Sequence, residues 1–366
     1  MPHSLRHLAL CAHRPRFAAT IGMCLFAASM ILSGCGSPPP IQGRTTGPTS
    51  LTPHATVTGG ASIVEYAIPD GDGYPESIVV GPDNNLWITQ HLPPDDNSDT
   101  PYIGRLTPTG TLTEFPFQSH GSSHNPDGMA VGPDKNLWFT ESGSGTIGRA
   151  SVNGDVSEFA LSNVNARPSS IAPGPDGALW FTESNANKIG RSTVGGTITE
   201  FPIPTVAAFA SGIVAGTDGN LWFTENVGNK IGRITPKGAI TEFPLPQASS
   251  APSGITVGPD GNLWFTETSG NRIGAITPAG KITEYPVPTP TTSPSGITVG
   301  PDHNLWFTEN ATGAIARLAL ATGRITEYAI PSASPGPLSI ITGPDGNLWF
   351  TEVNGSRIGR ITPPAS

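Results

Sequence analysis

The decapeptide GPDGNLWFTE occupies positions 258–267 and recurs letter for letter at 343–352. Five variants share its frame: GPDNNLWITQ (81–90), GPDKNLWFTE (132–141), GPDGALWFTE (174–183), GTDGNLWFTE (216–225) and GPDHNLWFTE (300–309). Each copy carries one of the chain's seven tryptophans, Trp87, Trp138, Trp180, Trp222, Trp264, Trp306 and Trp349, at spacings of 51, 42, 42, 42, 42 and 43. A period near 42 is that of four-stranded propeller blades.

One unit, 253–287, reads SGITVGPDGNLWFTETSGNRIGAITPAGKITEYPV. It holds four short β-prone runs, GITV, LWFTE, RIGAIT and KITEYPV, none long enough for a helix. PDGN joins the first two, with Gly261 free to take positive φ. TPAG (Thr277 to Gly280) joins the last two. The remaining connections are longer, so tight turns fall on one face of an up-and-down blade and long loops on the other. The run SIVEYAIP (62–69) looks like a fourth strand, and SRIGRITP (356–363) like a third. Pairing the two completes the last blade and leaves no open seam. The fold expected is all-β, a seven-bladed propeller over 61–363.

The other segments read differently. Arg6, Arg14 and Arg16 precede an apolar run, Phe17 to Leu32, that ends in LSGC. Residues 1–34 therefore read as a signal peptide of the lipoprotein type, with Cys35 as the acylated residue; an ordinary secretory peptide or an uncleaved anchor is the alternative. All three cysteines, Cys11, Cys24 and Cys35, lie in the leader or at its end, so the exported domain forms no internal disulfide. Residues 35–60, rich in Pro, Gly, Ser and Thr, read as a flexible tether. Gly (45) and Pro (39) are abundant, but their fixed period marks turns rather than disorder. Beyond the leader 16 basic side chains face 28 acidic ones, which argues against nucleic acid as a partner. The expectation is a monomer tethered to the cell envelope, at the outer membrane where the host has one, with a small molecule, peptide or glycan at the channel mouth.

The first strand of each blade lines a propeller's channel, and its x in P-x-G-I gives Glu76, Asp127, Ser169, Ser211, Ser253, Ser295 and Leu338. The end of the second strand gives Gln90, Glu141, Glu183, Glu225, Glu267, Glu309 and Glu352. Together these ring one mouth, on the long-loop face. Six carboxylates so close repel one another. Basic residues of the third strand, such as Lys188, Arg191, Lys230, Arg233, Arg272, Arg357 and Arg360, or backbone N–H groups are their expected partners. A feature repeated in every blade reads as a blade-closing device; the functional alternative is a cation or polar-ligand site.

The motifs P-x-G-I, GPDGNLWFTE, NKIGRIT and ITEFPLP, with the first-blade variant WITQH (Trp87 to His91), make the chain resemble the virginiamycin B lyase (streptogramin lyase) family over residues 61–363. The resemblance implies elimination chemistry that opens a cyclic depsipeptide, with a histidine base and Mg²⁺ polarising the ester carbonyl. The family's histidines correspond to Ser295 and Leu338, and its metal-binding glutamates to Gly336 and Glu352. Of these only Glu352 is retained, so the expected role is binding or scaffolding.

The alternative is a Mg²⁺-dependent carbon–oxygen lyase with a displaced base. Candidates cluster in blades one and two, whose loops QHLPPDDNSDTPYIG and QSHGSSHNPDG are irregular. His91, His120 and His124, with Glu76, Asp127 and Glu141, are placed to converge as an acid–base or divalent-metal site. Asp95, Asp96 and Asp99 lie in the acidic loop 93–102, whose DDNSD lacks EF-hand spacing; solvated loop side chains are the plain reading.

Overall fold

A computed structural model describes residues 47–58, 60–69, 73–91, 101–117 and 125–364. These form seven antiparallel sheets around an axis, each with the strand order expected of a blade. Blade four is typical: Ala210–Ala215, Leu221–Glu225, Lys230–Ile234 and Ile240–Pro244 pair in sequence. In blade seven the outer position is taken by Ala61–Ala67, which pairs with Arg357–Thr362 in the register Ser62↔Thr362 to Ala67↔Arg357.

The stretch read as a tether is partly strand. Thr49–Ser50 pairs with the outer strand of blade one, Thr111–Pro116, and Pro53–Thr58 pairs with Ala61–Ala67 of blade seven. Leu51 between them is buried, its N–H donating to the Gly110 carbonyl. The polar composition hid this, because a strand outside a sheet edge buries little of itself; the pattern over Pro53–Thr58 is mostly exposed.

Each letter of the decapeptide has a task. The turn aspartate accepts a hydrogen bond from the indole Nε1 four residues on, at 2.9–3.1 Å in all seven blades. Burial alone would raise these carboxyls. At Asp83, Asp134, Asp218 and Asp345 the Asn and Trp donors outweigh it and hold them below the ordinary range. The turn needs a left-handed residue: Gly261 has φ +77°, while His303 takes the same place at +55°. The tryptophan, buried in every blade, stacks on an aromatic of the outer strand with ring centroids 5.4 or 5.5 Å apart. In blade seven that partner is Tyr66, supplied by the N-terminal strand. The phenylalanine lies against a third-strand glycine: a Cβ at Gly190 would sit 2.0 Å from the Phe181 ring.

The threonine links blades. In every first strand the register shifts between the first motif residue, proline except for Ala210 of blade four, and the fourth, so two residues oppose one. Such a bulge leaves a backbone N–H without a ladder partner. The opposing threonine hydroxyl accepts that N–H at 2.8–3.1 Å. The same hydroxyl donates to the x carbonyl of the next blade at 2.5–3.2 Å. Thr351 donates to the Glu76 carbonyl, so the belt closes on itself.

The glutamate points the other way. Glu141, Glu183, Glu225, Glu267, Glu309 and Glu352 are buried to within 1% exposure, as is Gln90, so none rings an open mouth. Nor do the third-strand bases pair with them. Lys188, Lys230 and Arg272 reach the fourth-strand carboxylates Glu200, Glu242 and Glu284; Arg191, Arg233 and Arg360 reach the turn aspartates Asp176, Asp218 and Asp345. The reason is alternation: threonine and glutamate are neighbours on a strand, so they emerge on opposite faces, and the threonine faces the channel side of the next blade. Burial, reinforced by the fourth-strand carboxylate, pushes Glu183, Glu225 and Glu309 from 4.5 to about 7 and Glu352, beside Glu65, to about 8. Burial also lifts Glu267 to about 7.

Two predictions follow from this packing. Thr224→Val keeps the shape but orphans the Gly212 N–H and the Ser253 carbonyl; the loss expected is about 1–3 kcal/mol in denaturant unfolding, with Thr224→Ser recovering most of it. For the buried glutamates, the unfolded chain loses its protons near pH 4.5 while the folded chain keeps them to about 7 or 8. Stability therefore falls as pH rises through this window and then levels off. The melting temperature at pH 5 should exceed that at pH 8; equal values would mean that these groups are ionised in the folded state.

Candidate functional site

The bulges that free the threonine-bound N–H groups also turn the x side chains into the channel. They line a cavity of about 400 Å³. Ser169, Ser211, Ser253 and Ser295 form an arc from blades three to six, and Leu338 of blade seven adds an apolar wall. Blades one and two contribute Glu76 and Asp127.

His91 stands between these two carboxylates. The second strand of blade one, Leu86–His91, is one residue longer than its five-residue counterparts. Gln90 takes the buried glutamate position, and His91, paired with Tyr74, emerges on the threonine side, toward blade two. Its Nε2 lies 2.7 Å from Asp127 Oδ1 and its Nδ1 lies 3.5 Å from Glu76 Oε1. Each of the three side chains is 22% exposed, open to the cavity yet mostly dry. Burial works to lower the imidazole pKa, but the bond to Asp127 and the charges of Glu76 and Asp127 outweigh it and raise it. Burial raises Glu76, with His91 opposing and Asp127 adding to the rise. Nε2 is hydrogen-bonded to Asp127 while Nδ1 faces Glu76 at ion-pair distance, so the ring bridges the two carboxylates at the cavity wall.

Of the residues expected at the mouth, Glu76, His91 and Asp127 come together there. Gln90, Glu141, Glu183, Glu225, Glu267, Glu309 and Glu352 do not line the cavity. His120, His124 and the aspartates of the 93–102 loop, except for the loop's last residues, lie outside the described residues, as does Cys35. Among the described residues no group of three or more His, Cys, Asp or Glu side chains is arranged to hold a metal ion. Sequence reasoning passed over Arg167, which lines the cavity. It precedes a P-x-G-type proline and has φ +54°, as Phe209, Ala251 and Ser293 have +51°, +52° and +53° at the equivalent places. That recurring position, immediately before each of these first strands, was the available signal.

Comparison with known proteins agrees with this architecture. The family model described as the virginiamycin B lyase family matches residues 213–366. A streptogramin B lyase structure is 36% identical over 82% of this chain and 97% of its own, with a TM-score of 0.76. A catalytically inactive histidine-to-alanine variant of the virginiamycin B lyase from Staphylococcus aureus, with quinupristin, is 38% identical over 83% of this chain and 99% of its own, with a TM-score of 0.77. The WD40 β-propeller domain of Doa1, 10% identical over 87% of this chain and 97% of its own, with a TM-score of 0.60, shares the fold alone. No curated protein matches the chain. Seven blades, a first-strand channel lining and more than a third of the residues in common with lyases spanned almost end to end place this chain in the virginiamycin B lyase family.

Proposed function

We propose that this chain is a lipid-anchored, extracytoplasmic propeller that binds a small polar ligand at its channel mouth and does not perform the family's elimination. The observation carrying this reading is what faces the cavity from blades six and seven: the hydroxyl of Ser295 and the isobutyl group of Leu338. By resemblance these are the places of the family's histidines, and neither side chain takes a proton from carbon at neutral pH.

The residues at the places of the family's metal ligands do not fit Mg²⁺ either. Gly336 has no side chain. Glu352 is buried, accepts a hydrogen bond from Ser332, and is kept protonated at neutral pH by burial beside Glu65. A hard divalent cation is held by ionised oxygen ligands in open octahedral reach. What the mouth does offer is an arc of hydroxyls facing two carboxylates, a surface suited to a hydroxylated or cationic small molecule. The leader and Cys35 support export and acylation.

A second reading has one specific observation in its favour: His91 lines the same cavity, next to blade seven across the closing seam. A virginiamycin B lyase-like carbon–oxygen lyase would use it as a displaced base after a substrate drew one nitrogen away from its carboxylate. Incubation of the mature protein with a streptogramin B and Mg²⁺ decides between the two. Linear product no greater than in a protein-free control is expected; accumulation of product that disappears in His91→Ala would establish the displaced base instead. For the anchor, Cys35→Ser should abolish incorporation of labelled palmitate and release the protein from the membrane fraction. Retention of label in that variant would refute acylation at this residue.

A further inference from the structure

The repeats can be compared with one another, and blades three and four share an arrangement that blade seven, at a second cavity, completes only in part. In blade three Lys188 Nζ donates to Glu200 Oε2 at 2.5 Å, and the Ser162 hydroxyl, from the loop entering the blade, donates to the same carboxylate at 3.1 Å. In blade four Lys230 Nζ donates to Glu242 Oε2 at 2.8 Å and to the Thr205 hydroxyl at 2.6 Å, while the Thr205 N–H donates to Glu242 Oε1 at 2.9 Å. These two blades share a fourth-strand carboxylate, a second-strand carboxyl beneath it, a hydroxyl from the incoming loop, and an ammonium nitrogen among them; blades one, two, five and six carry Tyr102, Thr146, Arg272 and Ala314 in the lysine register.

Blade seven has the first three. Its fourth-strand carboxylate is Glu65, its second-strand carboxyl is Glu352, and Ser332 donates its hydroxyl to Glu352 at 3.0 Å. The residue in the lysine register is Arg357, opposite Glu352 as Lys188 is opposite Glu183. Its Nη1 instead donates to the Gly355 carbonyl at 3.1 Å, and it makes no ion pair with Glu65 among the described residues. Arginine is longer than lysine and planar at its tip, so it overreaches a pocket cut for a point charge. Arg272 does the same in blade five, donating to the Gly270 carbonyl, with its Nε 3.8 Å from Glu284.

Blade three also has a cavity at this place, lined by Ser162 and Glu200, but there Lys188 already donates to the carboxylate. Glu65 is 4% exposed, its Oε1 has no hydrogen-bond partner, and it lines a cavity of about 350 Å³ walled by Thr52, His54, Ser332 and Arg357. Thr52 and His54 belong to the N-terminal segment whose Pro53–Thr58 strand lies along Ala61–Ala67, and they add a wall that the blade-three cavity lacks. A buried carboxylate oxygen without a donor is costly unless something supplies one. We propose that this cavity, on the closing blade and apart from the channel mouth, binds a primary ammonium group, which takes the place that Lys188 and Lys230 fill in blades three and four. The ammonium nitrogen would donate to Glu65 and to the Ser332 hydroxyl. The carrier is a free alkylamine or the side chain of a lysine presented by another molecule.

Isothermal titration of the mature protein tests this with n-butylammonium, Nα-acetyl-lysine amide and tetramethylammonium at equal ionic strength. Saturable binding of n-butylammonium, with none of tetramethylammonium, is expected. Nα-acetyl-lysine amide binding as well extends the site to lysine side chains, and its failure to bind confines the site to free amines. Glu65→Gln should weaken binding by about tenfold or more, as expected for loss of a charge-assisted hydrogen bond. Arg357→Lys is the sharper variant, since it restores the lysine of blades three and four and so needs no loss of fold: it should abolish amine binding and raise the melting temperature. Absence of n-butylammonium binding, equal binding of tetramethylammonium, or an Arg357→Lys protein that binds amine as before would each overturn the proposal.

Discussion

A single hydroxyl position holds this propeller in register. The threonine of each LWFTE accepts the N–H exposed by its own blade's bulge and donates to the carbonyl of the next blade. A propeller has no continuous sheet between blades, so side-chain packing alone would leave their rotation about the axis loosely defined. Seven two-sided hydroxyl bridges, the last joining Thr351 to Glu76, convert neighbouring blades into one hydrogen-bonded belt around the channel. The requirement is strict in chemistry: valine has the shape but neither donor nor acceptor, which explains why the position is threonine in all seven blades while other positions drift.

The same constraint sets where function can lie. Because the bulge is needed for the belt, the x residue beside it is always delivered to the channel, whatever its identity. Its side chain is then free to vary without disturbing the fold, and it does, from Glu76 and Asp127 through four serines to Leu338. The glutamate next to the threonine has the opposite fate. Strand alternation sends it into the blade, where it meets a second carboxylate and, in three blades, a lysine or arginine bound to that second group. Conserving both letters of the TE pair therefore conserves two unrelated devices, one tangential between blades and one radial within a blade.

Much of this was legible in the sequence. The period, the four short runs and the alternation of tight and long turns give the blade, since each follows from local turn chemistry. The x positions were readable as channel residues for the same reason, and WITQH marked the blade in which a histidine reaches the mouth. The direction of the second-strand glutamate was not, because a strand end leaves its last residue free to be read on either face until the bulge opposite it is known. The extra N-terminal strands were also hidden: PHATVT is polar, short and unrepeated, and it becomes a strand because an edge in blade seven is there to receive it. Glu65 as the wall of a cavity depends on that same added strand.

Because Ala61–Ala67 and Arg357–Thr362 share a sheet, the two ends of the domain are each other's nearest structural neighbours. A chain made from its N-terminus presents the first of these strands long before the second. Until the final segment arrives, Ala61–Ala67 has only the Pro53–Thr58 hairpin partner on one edge and lacks its blade on the other. The cost of closing so long a loop grows only slowly with its length, but the wait does not shorten. Ring closure thus depends on the last strand, and a chain without Arg357–Thr362 would leave Ala61–Ala67 cut off from the rest of its blade. The Thr49–Ser50 and Pro53–Thr58 strands lie one on blade one and the other along Ala61–Ala67 of blade seven, so the segment ahead of the domain ties these two neighbouring blades together on the N-terminal side of the join.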